Sequence, residues 1–265
     1  MIRRVLNAIK HRKRKPRSRL YRYTNWTLTV LGFGYVLLLF FPSSLFAHSA
    51  RVGQFTFYSD RPIPAHIESV VEQATARLAT SPLYADTDTF DVCIAADRWR
   101  RVLIIPRARG AFGAAMVWTG NTVLNRCDIS KNTCLNDQPE FNRRPMHVVL
   151  AHECTHHLMA DHLGMIAYLR LPEWKNEGYC EYVADSPSFD ISEGEALIRN
   201  GKSHKSQAFR YLRYFVAVRS CIEENGLEPR QFFTAPLDFE KSLDAVRQAR
   251  GDNKTVNPIG GSGGF

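Results

Sequence analysis

The chain has 265 residues, 45% of them hydrophobic and 23% charged, which excludes a disordered polypeptide and is enough for one well-buried core. Its formal charge of +9 is concentrated at one end, because positions 1–50 carry ten Lys/Arg and no Asp or Glu. The remaining chain holds 25 basic against 26 acidic residues, so the globular part is not basic and its charge argues against a nucleic-acid partner.

The early positive charges are Arg3, Arg4, Lys10, Arg12, Lys13, Arg14, Lys15, Arg17, Arg19 and Arg22, and an uncharged stretch follows at residues 23–50. Within it, residues 26–47 (WTLTVLGFGYVLLLFFPSSLFA) are apolar all round and, as a helix, span roughly 30 Å, the hydrocarbon thickness of a bilayer. The expectation is a single transmembrane signal-anchor helix. The basic residues 1–25 would stay cytoplasmic, and everything after about residue 48 would sit on the periplasmic or extracellular face of the cell membrane. A cleaved signal peptide is the alternative, but the run exceeds a usual apolar region, and Leu45 and Phe46 before Ala47 make a poor cleavage site.

Past the anchor, residues 52–59 (VGQFTFYS) alternate as a strand, Pro62 and Pro64 break the chain, and a helical pattern runs from about 65 to 80. Residues 89–96 read as a further strand, and residues 114–118 and 121–125 as a hairpin around Thr119 and Gly120. From Pro145 onward the pattern is helical, at 145–163, 172–185, 204–225 and 238–250, with Pro145 and Pro172 suited to first turns and Gly164 to a stop. The Gly-rich tail 257–265 is predicted to be disordered. The expected fold class is therefore α+β: a membrane helix, then one domain over 51–256 with a small β-layer followed by a helical half.

All six cysteines, Cys93, Cys127, Cys134, Cys154, Cys180 and Cys221, lie beyond the anchor, where disulfides can form. Cys127 and Cys134 bracket a turn-prone loop (DISKNT) and are a candidate pair; the others could equally be buried thiols.

Residues 152–156 read H-E-C-T-H. On a helix, His152 and His156 share one face and can direct ring nitrogens at one ion about 2.0–2.1 Å away. Glu153 is turned about 100° from His152, beside such an ion and placed as a general base. A second segment, W-K-N-E-G at 174–178, offers Glu177 from another helix. Two His and one Glu leave a fourth position open, the arrangement of a catalytic zinc. His157 and His162 fall off the metal-facing direction and read as surface histidines. Cys154 points away as a core thiol or disulfide partner, and Cys180, three residues after Glu177, would close the open position if it bound.

These residues resemble the gluzincin branch of zinc metallopeptidases, and more closely the peptidase-MA-like group, which pairs HExxH with a W-x-x-E-G-x-x-x-Y segment; the likeness covers about 145–226. It implies a zincin-like domain and a zinc ion on His152, His156 and Glu177, with Glu153 activating a bound water. It also implies that Glu181 hydrogen-bonds a ligand histidine, and that a tyrosine, Tyr211 ahead of Tyr214, donates to the oxyanion. GAAMV at 113–117 lacks the acid with which aminopeptidase relatives capture a free amino terminus, so an endopeptidase is expected, acting on a peptide or protein substrate. The competing expectation is a membrane-tethered, non-catalytic zinc-binding or interaction module. A DNA-associated HExxH protease would need a basic catalytic region, which the charge partition denies.

Overall fold

The computed structural model describes residues 19–108 and 110–248, and the chain divides into two units, Met1–Phe41 and Pro42–Phe265. The basic residues ahead of position 19 and the tail 257–265 lie outside the described residues.

The first unit holds helix α1 (Arg19–Phe40), with no buried residue along its 22-residue length. Among the described residues it is the one helix long and apolar enough to cross a membrane. Its bounds differ from the expected 26–47, because the helix starts earlier and stops at Phe40. Pro42, which lacks an N–H to continue the ladder, opens a short 3-10 turn instead (Pro42–Leu45). The hydroxyls of Thr24, Thr27 and Thr29 donate to carbonyls four residues back, so these polar groups are satisfied within the helix itself.

The second unit is an α+β domain that begins earlier than residue 51, taking in the turn at 42–45 and strand β1. The stretch read as one strand, 52–59, is a hairpin. β1 (His48–Val52) pairs antiparallel with β2 (Phe55–Ser59) across Gly53 and Gln54. Helix α2 (Ile67–Leu78) follows, then β3 (Phe90–Ala95) and a short helix α3 (Arg98–Ile104) that periodicity did not signal. The expected hairpin is present as β4 (Gly113–Met116) and β5 (Asn121–Asn125). These strands form one mixed sheet in the order β1-β2-β3-β5-β4, with β2, β3 and β5 parallel and the outer strands antiparallel.

Alternation along the strands gives the sheet two faces. Phe55, Phe57, Phe90, Val92, Ile94 and Leu124 fill the main core together with α2 and the helices beyond. Cys93, Ala95 and Val123 point the other way, onto Ile104, Ile105, Leu45 and Phe46. A second, small antiparallel sheet comes next: β6 (Cys127–Asp128), β7 (Thr133–Leu135) and β8 (Arg143–Pro145). Cys127 and Cys134 sit opposite each other in it and are disulfide-bonded; Cys93, Cys154, Cys180 and Cys221 are buried free thiols.

Strand β8 leads straight into α4 (Met146–Leu163), whose residues are buried on nearly every side from Met146 to Ala160. Such a helix needs apolar residues all round, which VVLA before the motif and LMA after it supply. Gly164 ends it, as expected, while Pro145 and Pro172 cap the helices that follow them rather than sitting in the first turn. The remaining helices are α5 (Met165–Leu169), α6 (Glu173–Ala184), α7 (Ile191–Arg199), α8 (Gln207–Arg219, continued by a π-turn to Glu224), α9 (Pro229–Thr234), α10 (Phe239–Ser242) and α11 (Asp244–Gln248). The predicted segment 238–250 is thus two short helices as far as residue 248.

Candidate metal centre

The centre is built by three helices. α4 supplies His152, Glu153 and His156, α6 supplies Glu177 and Glu181, and α8 supplies Tyr211. Helices α6 and α8 cross closely because residue 178 is glycine: a Cβ there would fall 2.8 Å from the Tyr214 carbonyl oxygen and 2.7 Å from Val218 Cγ2. One residue earlier, Glu177 is brought to the histidines. Its Oε2 lies 3.4 Å from His152 Nε2 and 3.9 Å from His156 Nε2. Donor atoms on a tetrahedral zinc ion are roughly 3.3 Å apart when each bond is 2.0–2.1 Å. The His152 spacing is close to this and the His156 spacing is longer, so the donor set could hold a metal ion.

The other ring nitrogens are held from outside. His156 Nδ1 faces Asn176 Oδ1 at 2.9 Å, and the Tyr168 hydroxyl lies 3.1 Å from the same nitrogen. An acceptor at Nδ1 keeps the proton there and leaves Nε2 as the lone-pair donor. His152 Nδ1 lies 3.2 Å from Glu181 Oε1, an ion-pair distance whose angle falls short of a directed hydrogen bond. Glu181 is fixed in turn by Arg144 of β8, with Nη1 to Oε1 at 2.9 Å and Nη2 to Oε2 at 3.0 Å; Nη2 also donates to the Ser186 carbonyl at 2.8 Å. This fork is buried.

A second grouping shares the histidines: one donor atom each of His152, His156 and Cys180 lie within 4.8 Å of one another. The Cys180 sulfur, however, sits 3.3 Å from Nδ1 of His156, on the side away from Glu177. The Glu177 set instead turns Nε2 of both rings toward one carboxylate oxygen, so the two histidines are shared by two candidate ligand sets. Burial first, and then the charges of Glu177, Glu153 and Glu181, push the Cys180 thiol well above its ordinary range in the metal-free protein.

The charges of the centre are strongly coupled. Burial alone would lower the His152 pKa, but Glu181 and Glu177 together push it up to about 10. Burial would raise Glu177, yet the hydrogen bond from His152 and the charges of both histidines bring it down to about 2. Glu181 is held low, against its burial, by Arg144 and His152. Burial raises Glu153, the two histidines oppose this and Glu177 adds to it. Its carboxylate also accepts from the Ala115 backbone N–H.

Glu153 lies against strand β4. A Cβ at Gly113 would sit 3.0 Å from Glu153 Cγ and 3.1 Å from its Oε1, so any larger residue would press on the Glu153 side chain. Helix, strand and loops enclose a cleft of about 1130 Å³ that reaches from Arg107 past β4, Glu153 and Glu177 to Tyr211. Tyr211 faces the cleft and hydrogen-bonds Glu177. Tyr214 instead meets Glu173 and packs on Phe239.

His157 differs from the sequence expectation. It is buried, with Nε2 3.1 Å from Thr122 Oγ1, and burial lowers its pKa to about 4. The helix is enclosed by β5 on that side as well, which a motif reading cannot foresee. His162 is half-buried, and Cys154 is fully buried, as a core thiol should be. Sequence reasoning did not find Arg144, Tyr168 or Asn176. Asn176 stands inside the W-K-N-E-G segment and had a local signal; Arg144 and Tyr168 had none. A scan against protein-family models and a search of curated proteins both found no match to this chain.

Proposed function

We propose that the domain is a zinc-dependent endopeptidase of the gluzincin type, tethered to the cell membrane by α1 and acting on the periplasmic or extracellular face. The observation that carries this reading is the meeting of His152 Nε2 and His156 Nε2 on one Glu177 oxygen, at 3.4 and 3.9 Å, beside the buried base Glu153 in an open cleft. Bound by these three residues, zinc supplies a Lewis acid that acidifies water and polarises a peptide carbonyl.

The chain's own groups do the rest. Glu153, its pKa raised by burial and its carboxylate steadied by the Ala115 N–H, takes a proton from the attacking water and delivers it to the leaving nitrogen. Tyr211, kept protonated by burial and by Glu177, donates a hydrogen bond to the oxyanion that develops on the carbonyl. Glu181, oriented by Arg144, places a negative charge 3.2 Å from His152 Nδ1 and so favours a proton on that nitrogen. β4 is an edge strand of its sheet. Phe112, Ala114 and Met116 pair toward β5, so the main-chain groups of Gly113 and the Ala115 carbonyl face outward along the cleft, where an extended substrate can add as a further strand.

The test is zinc content combined with cleavage of a peptide library. Wild type should carry one zinc and cut, and Glu153→Gln should retain the metal while losing turnover by on the order of 10³-fold. Metal without cleavage in both proteins would replace the peptidase with a non-catalytic zinc-binding module.

A further inference from the structure

We infer that helix α3 rests the domain on the lipid surface. This rests on the reading of α1 as a membrane span. Only Phe41 separates the end of α1 from Pro42, so whatever packs on residues 42–46 is tied close to the point where the chain leaves the membrane. α3 packs there. Arg100 donates through Nε to the Leu45 carbonyl at 3.0 Å, its guanidinium lies 5.5 Å from the Phe46 ring, and Ile104 and Ile105 share a cluster with Leu45 and Phe46.

The side of α3 turned away from the sheet carries exposed Trp99 and Val102, spaced three residues apart and therefore on one helix face. Arg98 and Arg107 are exposed on either side of them. An indole and an aliphatic side chain between guanidinium groups match the region where lipid headgroups meet acyl chains, with the arginines on anionic phosphates. The nearby acids do not oppose this, since Asp97 and Asp60 are both paired to Arg100. Arg107 also lines the cleft, together with Ala108, Gly110, Ala111 and Phe112.

Spin labels on the full chain, in bilayers of phosphatidylcholine and phosphatidylglycerol, test this. Labels are placed singly at Val102→Cys, at Leu31→Cys inside α1, and at Trp118→Cys, which is exposed at the opposite end of the sheet. The four native free thiols are buried and do not compete. Collision with oxygen relative to a water-soluble nickel complex should be severalfold higher at 102 than at 118, and highest at 31. Lipid exposure at 31 with equal, water-like values at 102 and 118 would overturn the inference and leave the anchor intact. A water-like label at 31 would remove the anchor and the inference with it. A label at 102 immobilised and shielded from both reagents would mean a protein partner, and would also overturn it.

Discussion

His152 stands between two carboxylates, Glu177 at 3.4 Å from Nε2 and Glu181 at 3.2 Å from Nδ1, and its metal-free pKa of about 10 follows from them. A histidine raised from 6.5 in the unfolded chain to about 10 in the fold stabilises the metal-free protein fully below pH 6.5, and this contribution fades as the pH climbs through 10. Zinc requires the neutral ring, so uptake must expel that proton throughout the window between the two values. Calorimetric titration with zinc at pH 8, in buffers of differing ionisation enthalpy, should count about one proton released per ion. A count of zero would show that His152 is already neutral. Arg144 matters for the same reason. Arg144→Ala removes both bonds that orient Glu181 and should weaken zinc binding by about 10–100-fold in a competition with a chelator. Arg144→Lys should not restore it, because a single ammonium cannot reproduce the two parallel bonds.

At the scale of elements, the site depends on how closely α8 can approach α6. Gly178→Ala would place a methyl within 2.8 Å of the Tyr214 carbonyl, a backbone atom that cannot rotate away. The helices must part, at a cost of about 1–3 kcal/mol, and Tyr211 must retreat from Glu177. Denaturant melts should show that loss, and turnover should fall further than zinc content; an unchanged midpoint would mean that α8 yields freely. This crossing also explains what could be read in advance. HExxH and W-K-N-E-G were legible because each encodes helical spacing within a few residues. Glu177 was offered as the third ligand by its place on the next helix and by the family resemblance, and the glycine at 178 makes its approach to the histidines sterically available. Strand β1 (HSARV) was missed because it is exposed along most of its length and carries no alternation. β6 and β7 are too short to show any period, and α5, α7 and α9 have nine residues or fewer, about the length at which tertiary packing rather than local pattern decides. Arg144 was invisible because its partner lies 37 residues away.

For the molecule as a whole, the cysteines offer a test of the proposed location of the domain. Cys127 and Cys134 are bridged across two short strands, while the other four thiols are enclosed in the core. A cytosolic domain would be kept reduced, whereas one held beyond the membrane by α1 would be oxidised at this pair alone. The bridge closes a loop with a sequence separation of 7, worth about 2–3 kcal/mol by restricting the unfolded chain. It also pins the small sheet whose last strand presents Arg144 and opens directly into α4, so its loss reaches the metal centre through β8. Alkylation of the membrane-extracted protein, unfolded without reductant, should therefore modify four cysteines, and after reduction all six. The double variant Cys127→Ser, Cys134→Ser should melt earlier by that 2–3 kcal/mol and bind zinc more weakly, because Arg144 is then less firmly placed against Glu181. Six reactive thiols before reduction would place the domain on the reducing side of the membrane, which would reverse the orientation assigned from the basic amino-terminal segment.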